Sequence, residues 1–169
     1  MNRRADADQI RSVISQARVM MPDVALRTSL IVGFPGETPK RFERLIAFVR
    51  ETKFDHLGVF TYSREEGTAA AAMPSRISEK EKERRRDIVM NEQAEISLAI
   101  NRTLIGSTQE VLIEGKSDRP DYVYMGRCRR QAPEIDGVTY LAHSSLKIGD
   151  LVHCVITNAD HYDLFADLR

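Results

Sequence analysis

The sequence predicts two folded parts in succession, an α/β unit with a parallel sheet over residues 1–102 and a small all-β barrel over residues 103–169. In the first part, helical patterns alternate with strand patterns that have no polar face, as in βαβ units. In the second part, short strand patterns are separated by Gly, Asp, Asn and Pro, which favours a closed or half-closed barrel of the OB-like kind. A long helical pattern joins the two.

The composition is typical of a soluble globular protein. The chain has 169 residues, of which 42% are hydrophobic and 30% charged. No apolar run approaches the ~20 residues of a membrane span, and the opening "MNRRADADQI" lacks the apolar core of a signal peptide. We therefore expect a cytoplasmic protein with no membrane attachment.

The charge is unevenly distributed along the chain. Residues 1–102 carry 18 basic and 15 acidic residues, whereas residues 103–169 carry 7 basic and 10 acidic ones. The acidic excess of the second part opposes binding to nucleic-acid phosphates.

The first elements are a helix and a strand. Apolar residues recur at helical spacing before Pro22, which ends the helix; they are Ile10, Val13, Ile14, Ala17 and Met21. Residues 25–34 then form a strand so apolar that we expect both of its faces to be covered.

A second helix and strand follow. Thr38 is the predicted N-cap, Pro39 takes the first helical position, and the buried stripe comprises Phe42, Leu45, Ile46 and Val49. The segment "FDHLGVFTYS" predicts a second strand of the same kind.

The third helix begins at a capping box of Ser78 and Glu81, and it runs to about residue 104, where Gly106 stops it. Its first half, "SEKEKERRRD", is nearly all charge, which favours a solvated helix face. Beyond it, the barrel strands are predicted within "TQEVLIEG", "DYVYMGRC", "GVTYLA", "DLVHCVIT" and "YDLFADL".

Two parallel strands do not complete a sheet. A parallel sheet needs several neighbouring strands and cover on both faces, and an unpaired apolar edge promotes association. The chain therefore either pairs with something or forms the later portion of a longer architecture, and we prefer the second interpretation.

Several separated segments resemble the radical S-adenosylmethionine methylthiotransferases, in order and spacing. They are the opening "MNRR", "LRTSLIVGFPGET", "FDHLGVFTYSREEGT" and "NEQAEISLAINRTLIG" with the barrel after it, which resembles the family's TRAM domain. Within the family, "YSREEGT" and "APEIDGVTY" are similar to the branch that modifies ribosomal protein uS12. The resemblance implies that residues 1–102 are the C-terminal part of a partial (β/α) radical barrel and residues 103–169 a TRAM domain.

The resemblance also implies an activity, the attachment of a methylthio group to the β-carbon of an aspartate in uS12. The family cleaves S-adenosylmethionine at one [4Fe–4S] cluster to make a radical, and a second cluster delivers the sulfur. The cysteines that hold these clusters in the family are absent here, so we expect them in a missing N-terminal part of the same enzyme. By itself the chain is expected to be inactive.

The loop "GFPGET" is a candidate ligand site. Gly33 and Gly36 either shape a turn before the helix or leave bare backbone for a ligand. The resemblance favours the second alternative, because the family's S-adenosylmethionine pocket lies at this mouth of the barrel. The candidate pocket residues are Arg27, Thr28, Ser29, Gly33, Pro35, Gly36 and Tyr62.

The loop after the second strand is a candidate for substrate contact, and its residues are Ser63, Glu65, Glu66, Gly67 and Thr68. Adjacent Glu65 and Glu66 point apart and make a poor acid/base pair. The alternative is that they are ordinary solvated carboxylates.

The remaining chemistry-bearing residues predict no metal site. Cys128 and Cys154 are too few and too far apart for an iron–sulfur cluster, and we expect buried, inert thiols. The histidines show no ligand spacing. The aromatic residues of the second part, Tyr122, Tyr124, Tyr140, Tyr162 and Phe165, favour a barrel interior and protein-contact surface over an RNA-stacking platform.

Two alternatives to the uS12 enzyme remain at this point. One is the branch of the family that modifies transfer RNA, which predicts a basic TRAM surface. The other is a stand-alone RNA- or protein-binding module without catalysis, which predicts that these residues fold stably alone. Because residues 103–169 are acidic, uS12 is the preferred partner over tRNA.

Overall fold

The computed structural model describes residues 6–74, 76–143 and 145–169. The chain divides into two compact units, Met1–Gln93 and Ala94–Arg169. The predicted boundary near residue 102 remains a prediction. None of the described helices is long and apolar enough to cross a membrane.

The described residues of the first unit form two α-helices and two strands before the long helix. Helix α1 is Ala7–Met20, strand β1 is Arg27–Val32, helix α2 is Pro39–Thr52 and strand β2 is His56–Thr61. The strands pair in parallel, with Arg27 opposite His56 and Val32 opposite Thr61. The predicted order of helix, strand, helix and strand is confirmed.

Local signals explain the helix ends. Asp6 caps α1 by accepting from the Gln9 amide at 2.8 Å, and α1 ends just before Pro22. Thr38 caps α2 with its hydroxyl, which accepts from the Arg41 amide at 3.3 Å. These caps satisfy amides that lack partners within the first helical turn.

Within the described residues, the apolar core of the first unit lies on one side of the sheet. Its buried residues are Val32, Phe42, Ile46, Val49, Phe54, Leu57, Val59 and Val89. The expectation that β1 is covered on both faces is wrong, because Arg27, Ser29 and Ile31 alternate outward and are exposed. Within the described residues β1 pairs only with β2.

Helix α3, Glu79–Thr103, begins in the first unit and ends in the second. The Ser78 hydroxyl accepts from the Glu81 amide at 3.3 Å, as expected of an N-cap. Gly106 follows the helix with a φ of +85°, a left-handed conformation that favours glycine.

The described residues of the second unit form a closed five-stranded barrel in the order β3-β4-β5-β7-β6, which confirms the predicted fold. The strands are Thr108–Lys116, Tyr124–Cys128, Thr139–Leu141, Leu151–Ala159 and Leu164–Leu168. The pair β5 and β7 is parallel and the other pairs are antiparallel. Ile113, Leu141, Ile156 and Leu164 fill the interior.

Candidate functional site

A small cavity lies at the carboxyl ends of β1 and β2, where the loops that follow the two strands meet. Gly33, Pro35 and Tyr62 line it, and its volume is about 210 Å³. The structure therefore brings together three of the residues that the sequence singled out. In α/β folds ligands bind at this end of parallel strands.

The glycines of the first loop adopt conformations that other residues avoid. The φ angles of Gly33 and Gly36 are +76° and +86°. A Cβ at Gly33 would also overlap the side-chain carbons of Lys82. The amide of Gly33 donates to the Glu37 carboxylate at 3.0 Å, so this loop is held in one shape from within.

Two buried cationic side chains of α3 form hydrogen bonds with the loops that follow β1 and β2. Lys82 is 6% exposed and Arg85 is 4% exposed. The expected solvated face of this helix is therefore wrong for these two residues. The physical reason is that both side chains find acceptors on the first unit, which offsets the cost of burying a charge.

Arg85 binds the loop after β1. Its guanidinium donates at 2.6 Å to the Glu37 carboxylate and at 2.9 Å to the Glu37 carbonyl, and its Nε donates to Glu81 at 2.8 Å. Hydrogen bonds from Arg84, and then from Arg85, lower the pKa of Glu81 to about 2. The sequence interval of 48 residues between Arg85 and Glu37 hid this contact from local pattern analysis.

Lys82 binds the loop after β2. Its ammonium donates to the Tyr62 carbonyl at 2.8 Å and to the Glu79 carboxylate at 2.7 Å. The Tyr62 ring packs edge-on against Phe34 at 5.2 Å. The Tyr62 hydroxyl, however, is buried and has no hydrogen-bond partner within the described residues.

The other candidate pocket residues lie further back along β1. Arg27, Thr28 and Ser29 line a groove of about 1050 Å³ between β1 and α1, together with Ile10 and Phe48. They do not line the cavity at Gly33. The sequence predicted one pocket for all seven residues, whereas the structure places three at the cavity and three at the groove, and Gly36 lines neither.

The groove has apolar walls that face solvent. No described residue of α1 is buried, and Ile10 and Val13 are 43% and 65% exposed. Phe60 of β2 is 61% exposed on the open face of the sheet. Contiguous apolar exposure of this kind marks an interaction surface.

The loop after β2 uses some of its polar groups for its own structure. The Thr68 hydroxyl donates to the Glu65 carbonyl at 2.8 Å and caps a short 3₁₀ helix, Ala69–Ala72. Ser63 donates to the Glu65 carboxylate at 3.4 Å. Glu66 and Gly67 are exposed, so the loop presents backbone and carboxylate to solvent.

The two thiols do not suit an iron–sulfur cluster. Cys128 and Cys154 are buried in the barrel core, with 1% and 0% exposure. Burial raises the pKa of Cys154 to about 11, and it also raises the pKa of Cys128. Because a cluster needs three or four accessible thiolates, these residues cannot hold one.

The aromatic residues of the barrel cover one another. Tyr140 stacks on Phe165 at 5.7 Å, Tyr122 packs at 5.1 Å from Phe165, and the Arg119 guanidinium lies 4.5 Å from the Tyr140 centroid. Tyr140 and Phe165 are buried, whereas Tyr162 is 44% exposed. Buried ring faces are not available to stack on bases.

The segment "APEIDGVTY" forms a constrained loop on the barrel. The Ala132 amide donates to the Asp136 carboxylate at 2.7 Å, and Glu134 has a φ of +62°. Gly137 has no room for a Cβ, because the Tyr162 carbonyl occupies that space. Ile135 is 63% exposed at the tip of this loop.

Comparisons with known proteins agree with the two-part architecture. Residues 105–168 match the TRAM domain family. The chain is similar to the ribosomal protein uS12 methylthiotransferase RimO of Syntrophus aciditrophicus, with 59% identity over 99% of the chain. Proteins of the same name from Citrifermentans bemidjiense and Trichlorobacter lovleyi are 47% and 48% identical, each over 99% of the chain.

These relatives are much longer than the chain, which spans 38%, 38% and 37% of their respective lengths. The match includes both units and the sequence segments on which the resemblance was based. Over nearly its whole length the chain is therefore homologous to a segment of proteins named ribosomal protein uS12 methylthiotransferase, and it contains a TRAM domain.

Proposed function

We propose that the chain is the C-terminal portion of a methylthiotransferase that adds a methylthio group to the β-carbon of an aspartate in ribosomal protein uS12. The observation that carries this proposal is the 59% identity, over nearly the whole chain, to a relative with that name. A ribosomal substrate makes the cytoplasm the expected place of action.

The incomplete sheet supports a larger enzyme. Strand β1 has an unpaired edge within the described residues, and the groove beside it is apolar and open. The relatives contain more than twice the length of this chain. We propose that a strand from the remainder of such an enzyme fills the groove, because an exposed apolar edge is otherwise a site of aggregation.

The remainder must also supply the iron–sulfur clusters, because the two cysteines present are buried in the barrel. No step of the reaction is assigned to cluster ligands in this chain. We expect the 169-residue chain alone to bind no iron and to release no 5′-deoxyadenosine from S-adenosylmethionine.

The chain's contribution to the S-adenosylmethionine site is structural. The bound cofactor supplies the radical precursor and the methyl group. Gly33, Pro35 and Gly36 would shape the wall at the end of β1, and Tyr62 would do so at the end of β2. Ser29 would line the open face behind them, with Arg27 and Thr28 at its margin.

The TRAM barrel and the loop of residues 62–68 would position uS12. The acidic excess of residues 103–169 suits a basic ribosomal protein better than it suits RNA phosphates. The mutual burial of Tyr140 and Phe165 also argues against an RNA-stacking platform. These observations favour uS12 over tRNA as the partner.

A hybrid enzyme tests the proposal. These 169 residues replace the matching segment of the Syntrophus aciditrophicus relative, in a bacterial host that lacks its own copy of the gene. Mass spectrometry of uS12 is expected to show one methylthio group on an aspartate, as with the unaltered relative. Unmodified uS12 from a folded, cluster-loaded hybrid contradicts the proposal, and modified tRNA favours the other branch.

The stand-alone binding module makes a different prediction. Under this hypothesis, the 169-residue chain is a well-behaved monomer that binds its partner without any other part of an enzyme. Sedimentation of the purified chain distinguishes the two, because an open apolar groove of this size is expected to promote self-association.

A further inference from the structure

The cavity at Gly33 is a recess in the wall proposed for the S-adenosylmethionine site, and it is too small to hold that cofactor whole. Its volume is about 210 Å³, whereas pockets for drug-sized ligands start at roughly 300 Å³. The linker after β2 forms its far wall through Ala70, Ala71 and Met73. A cavity of this size suits one small polar group that enters from a larger ligand.

The charges around the cavity favour an anion. Arg64, Arg76 and Lys82 line it, with Glu79 as the acidic lining residue. Lys82 already pairs with Glu79 at 2.7 Å. Arg64 and Arg76 make no ion pair within the part of the chain that the structure describes, so two guanidinium groups remain without a counter-charge.

Tyr62 adds a donor that lacks an acceptor. Its hydroxyl is buried and unpartnered within the described residues, although Tyr62 itself lines the cavity. A buried hydroxyl without a partner is costly and calls for one. Because the hydroxyl has almost no accessible surface, an anionic oxygen in the cavity would pair with the arginines and would accept from this hydroxyl once the Tyr62 ring turns toward it.

We propose that this cavity binds the side-chain carboxylate of the aspartate that the enzyme modifies. The inference rests on the proposed function, and it assigns Tyr62 as hydrogen-bond donor and Arg64 and Arg76 as cationic partners. A carboxylate accepts paired N–H groups from arginine in a fixed plane. Holding the carboxylate also fixes the β-carbon, which is one bond away.

The position of the cavity agrees with this role. It lies at the strand ends beside the loop of residues 62–68, which is the loop proposed to meet the substrate protein. Lys82 fixes the Tyr62 backbone through its 2.8 Å hydrogen bond to the carbonyl. The Tyr62 backbone is therefore held in place before the substrate arrives.

Fluorine NMR of the full 169-residue chain tests the proposal. The chain has five tyrosines, which 3-fluorotyrosine labels, and Tyr62→Phe identifies the signal of Tyr62. The probe is aspartate with acetyl and methylamide caps, and the matched neutral probe is capped asparagine. The tyrosines of the barrel serve as internal controls for folding.

Capped aspartate is expected to shift the Tyr62 signal saturably, with a dissociation constant on the order of millimolar, and capped asparagine is not. Arg64→Gln and Arg76→Gln are each expected to weaken binding about tenfold. Arg44→Gln is the control, because Arg44 is an exposed arginine of α2 that does not line the cavity.

Three results would overturn the inference. An equal shift with inorganic phosphate shows an adventitious anion site only. A shift with S-adenosylmethionine that capped aspartate does not reproduce assigns the cavity to the cofactor. No shift with any probe removes the site. If the hybrid enzyme still modifies uS12, these NMR outcomes leave the proposed function intact. If the hybrid enzyme fails to modify uS12 while capped aspartate still shifts the Tyr62 signal, the proposed function alone is refuted.

Discussion

Replacing Arg85 with methionine is expected to destabilise the first unit strongly. The Arg85 and Glu37 side chains are 5% and 12% exposed and lie 2.6 Å apart. Methionine preserves much of the buried aliphatic stem of Arg85. Among the described residues, it leaves the backbone amide of Gly33 as the one hydrogen-bond donor to the Glu37 carboxylate. Breaking a buried ion pair from one side costs about 3 kcal/mol.

The reverse substitution is expected to cost less. In Glu37→Gln, Arg85 keeps its bond to Glu81 at 2.8 Å, so its charge stays compensated. We expect a loss of about 1.5 kcal/mol, the size of one charge-assisted hydrogen bond. The double variant is expected to lose less stability than Arg85→Met alone, because Glu37→Gln removes the carboxylate that Arg85→Met leaves uncompensated.

Urea unfolding followed at 222 nm measures these effects. The helical signal reports mainly on the first unit, because the barrel is built from strands. Arg84→Met is the matched control, since Arg84 binds the same Glu81 from a 57% exposed position. If Arg85→Met and Arg84→Met shift the urea midpoint equally, the reasoning about burial is refuted.

Three further predictions concern single residues. Gly33→Ala is expected to lower the urea midpoint more than Gly67→Ala, because both have positive φ but only a Cβ at Gly33 overlaps Lys82; equal shifts would contradict the close contact. Cys154 is expected to resist a thiol reagent at pH 8 in the folded chain and to react in urea, since its pKa is raised to about 11; fast labelling of the folded chain would count against a buried thiol. Glu81 contributes stability that is present above its unfolded pKa of ~4.3, and this stability is lost as pH falls toward its folded pKa of about 2. Glu81→Gln should therefore make the urea midpoint less sensitive to acid between these two pH values. An unchanged pH profile would argue against the ion pairs.

The sequence predicted elements whose signals are local. The cap at Thr38, the stop at Pro22 and the short strands of the barrel all follow from residues within a few positions of one another. The burial of Lys82 and Arg85 was missed because their acceptors lie far away in sequence. A run such as "SEKEKERRRD" has the same local pattern whether its cationic side chains are solvated or are buried against a loop.

The exposed face of β1 was missed for the opposite reason. Residues 25–34 are apolar enough for a strand buried on both sides, but Ile31 remains 40% exposed. The apolar pattern predicts that both faces of the strand must be packed against other residues. The described residues pack against one face. The candidate site was partly predictable, since Gly33 and Tyr62 line one cavity, while no local pattern indicated that Arg64 and Arg76 would line it too.

The measurement that tests the central claim most directly is hydrogen exchange of Arg27–Val32, followed by mass spectrometry. It compares the 169-residue chain with the hybrid enzyme. If the sheet is completed by another section of the enzyme, exchange of this strand slows about tenfold or more in the hybrid, while exchange of Leu151–Ala159 in the barrel stays the same. Equal exchange of Arg27–Val32 in both proteins would contradict the claim.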